Sequence, residues 1–183
     1  MRKSLSLVLA FMAIGGIAIA QQTRTEVIKA TTPADDAKAN SETVPDVYAV
    51  SGQFERVVVL RFKYQADLLA GLESMVKQQK ILSAVILAGA GSVRNYHVHS
   101  VSNRTFPSRN IYVKDATAPA DIVSMNGYVI DGRVHAHLTM TSADKAFGGH
   151  LESGTTVFTF AIVTVGVLKE GMDLSRFDDK TYR

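Results

Sequence analysis

The stretch Asp131-Gly132-Arg133-Val134-His135-Ala136-His137-Leu138-Thr139-Met140-Thr141 decides how this chain reads. Asp-Gly supplies the residues that a tight turn between antiparallel strands demands, and from Arg133 onward apolar and polar side chains alternate strictly. Side chains two apart on a strand share a face, so Val134, Ala136, Leu138 and Met140 point one way and His135, His137, Thr139 and Thr141 the other. The run Ile122 to Ile130 before the turn is also strand-like. The two runs read as a hairpin with an apolar face for a core and a polar face that carries two imidazoles.

Working outward, the polar turn around Ser142-Ala143-Asp144 sends the chain back toward Gly148-Gly149-His150, and Thr155 to Leu168 reads as a long strand. Upstream, Ser102 to Pro119 lacks periodicity and reads as a loop with a short strand at Ile111-Tyr112-Val113. Val93 to Val101 is a strand, and Ile81 to Leu87 is another that stops in Ala88-Gly89-Ala90-Gly91-Ser92, where glycine loosens the backbone. From Ala66, Leu68, Leu69, Leu72, Met75 and Val76 recur at steps of three and four, the signature of an amphipathic helix. Val47 to Val50 reads as a short strand paired through a Ser51-Gly52 turn with a second one, Arg56 to Phe62. Six or seven strands and one main helix define an α+β domain in the broad α/β class, with a mainly antiparallel, mixed sheet.

With 183 residues, 46% of them hydrophobic and 20% charged, the chain suits one globular domain. Arg2 and Lys3 precede an uncharged run from Leu5 to Ala20 that closes on Ala18-Ile19-Ala20, the pattern of a signal peptide over residues 1–20. That run falls short of the roughly twenty apolar residues a bilayer requires, so no stable membrane anchor is expected after cleavage. Residues 21–44 read as a flexible leader without a face to bury, and 45–183 as the domain with its C-terminal tail. The expected location is exported, periplasmic or secreted. Losing Arg2 and Lys3 takes the basic count from 20 to 18 against 17 acidic residues, so the mature protein is nearly neutral, which argues against nucleic acid as a partner. The chain has no cysteine, so any metal must be held by nitrogen and oxygen.

All five histidines fall between positions 97 and 150. His135 and His137 share a strand face, and two such imidazoles with a third from a nearby loop make the three-nitrogen set typical of catalytic zinc. His150 is the natural third, because paired glycines before it permit close approach of the backbone. The competing reading is unliganded, hydrogen-bonded histidines. His97 and His99 form another same-face pair that can serve as extra ligands, as donors orienting the others, or as interface residues. Glu152 can act as a ligand, a base or an ordinary surface charge. Their roles stay open, as does the identity of any catalytic residue. Gly89-Ala90-Gly91-Ser92 lacks the lysine of a phosphate-binding loop.

The combined segments Val59-Leu60-Arg61, Val85 to Val93, Gly127 to Ile130, Asp131 to His137 and Gly148-Gly149-His150-Leu151 resemble the plants-and-prokaryotes-conserved (PPC) domain family, from Val47 to about Lys169. The tail Arg176-Phe177-Asp178-Asp179-Lys180 resembles the family's ending. The resemblance implies an α/β domain that assembles as a homotrimer, with a metal site, zinc by expectation, at His135, His137 and His150. The broad fold group includes acetolactate decarboxylase, a zinc lyase, so hydrolytic or lyase chemistry on a small molecule is an expectation by analogy. The alternative is a non-catalytic trimeric binding or structural module. Plant relatives add AT-hook segments that bind DNA, and a DNA-binding domain, the label part of the family carries, is the less expected alternative here, because this chain has no Arg-Gly-Arg-Pro hook and begins with an export signal.

Overall fold

A computed structural model describes residues 24–26, 42–103 and 108–178. The expected signal segment 1–20, most of the expected leader and the last five residues of the tail lie outside the described residues. In chain order the elements are β1 (Arg24–Glu26), β2 (Phe54–Phe62), α1 (Leu68–Gln78), β3 (Ser83–Val101), β4 (Asn110–Asp115), β5 (Ala120–Ile130), β6 (Arg133–Thr141), β7 (Ala146–Leu151), β8 (Thr156–Leu168) and a 3-10 turn, Ser175–Asp178. The expected α+β sheet with one main helix is what forms, and among the described residues every strand pairing is antiparallel.

The sheet is organised by β3, whose 19 residues are long enough to serve several neighbours. Its first half lies between β5 and β8, and its second half between β4 and β7. Because β5 pairs β6 and β6 pairs β7, the path β3-β5-β6-β7 returns to β3, and the sheet closes on itself at that end. β8 also pairs β2 on its far side.

The glycines of β3 were expected to end a strand, but β3 runs through them. A Cβ on Gly91 would collide with the carbonyl of Phe160, and one on Gly89 with Met125, so these positions admit close neighbours at bulges. The expected Val47–Val50 strand does not form either. β2 finds its ladder in β8, while residues 48–53 run along the C-terminal segment: Lys169 N–H donates to the Gln53 carbonyl at 3.0 Å and the Tyr48 and Phe177 rings sit 5.2 Å apart. Three residues of the expected leader pair along β4 as β1, since backbone pairing at a sheet edge needs no apolar face. The loop read over 102–119 contains β4, longer than the three residues expected.

α1 is capped by Asp67, whose Oδ1 accepts from Ala70 N–H at 2.9 Å, while Oδ2 accepts from Gly154 N–H at 2.6 Å and ties the cap to the β7–β8 turn. Leu68, Leu72 and Val76, four apart, are its buried stripe. They pack with Ile86, Met125, Leu138 and Met140 into one core. Each such side chain contributes about 1.5–3 kcal/mol by leaving water.

Candidate metal centre

The Asp131-Gly132 turn forms as read, with φ of 51° and 73°, and sets the register of the hairpin. Tyr128 faces His135 and Asn126 faces His137 across the ladder. Along β6, Ala136, Leu138 and Met140 are buried while His135, His137 and Thr139 are exposed, which is the expected division of faces.

His150 arrives on strand β7 and not on a loop, which corrects the sequence reading. Gly148 and Gly149 lie within β7, where Cβ atoms would collide with the carbonyl oxygens of Leu138 on β6 and His99 on β3. The missing side chains let β7 fit between both strands, which sets His150 opposite His137 and also opposite His99.

The ring nitrogens of His135, His137 and His150 lie within 4.8 Å of one another. The Nε2 atoms of His135 and His137 are 3.2 Å apart, close to the ~3.3 Å expected of two nitrogens sharing a tetrahedral zinc. The His150 ring stands nearly perpendicular to both, with centroids at 4.7 Å from His135 and 5.2 Å from His137. Burial, then the nearby imidazoles, pushes the His150 pKa down to about 4, and burial followed by His135 and His99 lowers that of His137. Neutral imidazoles keep the lone pairs that a cation needs. The donor set therefore fits a divalent ion of zinc's type.

His99 stacks on His150 with centroids 4.6 Å apart, and its Nδ1 meets Glu152 Oε1 at 2.6 Å. His99, His150 and Glu152 form a second group within 4.8 Å, so His150 belongs to both. His97 is turned elsewhere, its Nδ1 against the Ser153 carbonyl at 2.9 Å. Asp144, at the far end of β6, accepts from Ser142 Oγ at 2.6 Å, a hydrogen bond that holds its carboxyl below the usual range.

A cavity of about 570 Å³ adjoins the site, and His135 and His137 line it beside Asn126 and Tyr128. The sequence reading missed these last two, although the register of the two-residue hairpin turn already placed them opposite the histidines. Another cleft, of about 440 Å³, is lined by Glu55, Arg56, Lys80 and Asp131 and holds no histidine.

The sequence profile of the Plants and Prokaryotes Conserved (PCC) domain matches residues 49–169, and the chain belongs to that family. Solved structures with the same fold include a metal-containing protein from Archaeoglobus fulgidus, with 23% identity, a TM-score of 0.59, and coverage of 74% of this chain and 96% of that one. Another is a plant- and prokaryote-conserved protein from Pyrococcus horikoshii, at 22% identity and TM-score 0.55, covering 69% and 87%. No curated protein sequence matches the chain.

Proposed function

We propose that this protein binds one divalent metal ion, zinc, through His135, His137 and His150, and uses it on a small molecule in hydrolytic or lyase chemistry. The observation that carries this reading is the convergence of three ring nitrogens from two paired strands, two of the rings lining a cavity. The metal-containing relative from Archaeoglobus fulgidus, which shares the fold, supports it. Zinc with three protein ligands keeps a position for water or substrate and serves to activate the one or polarise the other. The chain's own residues supply the rest. β6 and β7 fix the imidazoles, burial keeps His150 unprotonated, and stacking by His99 restrains its ring.

The signal-like segment 1–20 supports export to the periplasm or beyond. Assembly as a homotrimer, the expectation from the family resemblance, is supported by exposed apolar side chains on one face of β2 and β8: Val57 and Val59 lie opposite Gly166 and Thr164, and Ile162, Phe160 and Phe158 continue that face beyond Arg61. The alternative, a non-catalytic binding module, draws on the engagement of Glu152 by His99, which among the described residues leaves the three-histidine group without its own carboxylate.

Metal analysis of purified mature protein tests the reading. One zinc per chain is expected, with stoichiometric binding lost in His137→Ala; retention of the ion by that variant refutes the assignment.

A further inference from the structure

The cavity beside the histidines has a composition that defines what fits it. One row across the sheet runs from Gly166 of β8 through Val85 and Tyr128 to His135. Gly166 leaves room for the Phe54 ring to lie over it, since a Cβ there would be 2.5 Å from that ring. The other walls come from both ends of the domain: Val50 and Gly52 before β2, Met172, Leu174 and Phe177 after β8. Gly52 packs directly against the Met172 side chain, and Lys169 Nζ donates to Gln53 Oε1 at 2.8 Å, so the two segments are held together as one wall.

Among the described residues no Lys, Arg, Asp or Glu lines the cavity, and the polar groups are confined to the end made by Asn126, Tyr128 and the two histidines. A volume of about 570 Å³ falls in the ordinary range for small ligands, roughly 300–1,000 Å³. Three neutral imidazoles leave the charge of a divalent ion uncompensated, so the polar end is an attractive place for an anion.

We propose that this cavity binds small carboxylates with an apolar body, the oxygen head at the histidine end and the body against Phe54, Met172, Leu174 and Phe177. The inference rests on the metal reading above, because the bound ion provides the charge that the head meets. Asn126 and Tyr128 supply hydrogen-bonding groups beside the head, and the wall of terminal segments removes the body from water.

Cobalt(II)-loaded protein tests this through its visible absorption, titrated with phenylacetate and, separately, with acetate. Phenylacetate should perturb the spectrum at concentrations at least about tenfold lower than acetate, the gain expected from burying a ring. Phe177→Ala, at a half-exposed position, should lose most of that preference and keep its cobalt. Equal affinity for the two anions in cobalt-loaded wild-type protein overturns the inference and leaves the metal site standing. Failure to take up cobalt removes both.

Discussion

His150 is the cross-strand neighbour of two histidines at once, His137 on β6 and His99 on β3. Both pairings depend on Gly148 and Gly149, which let β7 fit between those strands, so the closure of the sheet and the assembly of the three imidazoles are one structural event. This coupling makes the site sensitive to residues that touch no ligand atom.

Gly148→Ala should show that coupling. The added methyl meets the Leu138 carbonyl, and overpacking of this kind costs about 1–3 kcal/mol. A lowered melting temperature is expected together with weakened metal binding; unaltered affinity would separate the glycine pair from the site.

The low pKa of His150, about 4, has a consequence for metal-free protein. An ordinary imidazole in the unfolded chain, near 6.5, takes up the proton that folded His150 refuses, so acid favours unfolding. Stability should be retained above about pH 6.5 and fall as pH drops toward 4. Urea titrations at pH 7 and pH 5 should show a smaller loss in His150→Gln than in wild type.

Glu152→Gln distinguishes the two groups that share His150. If the ion sits on His135, His137 and His150, this change alters only the surroundings of His150, through the field of Glu152 and the stacked His99, and should weaken binding by less than about tenfold, the lower end of the range for groups bonded directly to a ligand. Complete loss of the metal would place the ion on His99, His150 and Glu152.

The open face of β2 and β8 predicts the behaviour of a charged variant. Wild-type mature protein should sediment as a trimer, and Val59→Lys combined with Phe160→Lys as a monomer, because a buried unpaired ammonium opposes association. A monomeric wild type would contradict the assembly.

The hairpin and the helix were legible because their signals are local: an Asp-Gly turn between alternating runs, and Leu68, Leu72 and Val76 at helical spacing. The face carrying His135 and His137 came from parity alone. Gly89 and Gly91 misled because a glycine that breaks a strand and one that admits a neighbouring strand look identical in sequence, whereas the close approach read at Gly148 and Gly149 does form, on a strand instead of a loop. Only the pairing of distant segments separates those cases. The cavity was hidden for the same reason, since Gly52 and Met172 meet across the whole length of the domain.

Anomalous diffraction at the zinc edge from crystals of the mature protein tests the central claim most directly. One peak is predicted, about 2.0–2.1 Å from a ring nitrogen of each of His135, His137 and His150. A peak ligated by His99 and Glu152, or a map without a peak from zinc-saturated protein, would contradict it.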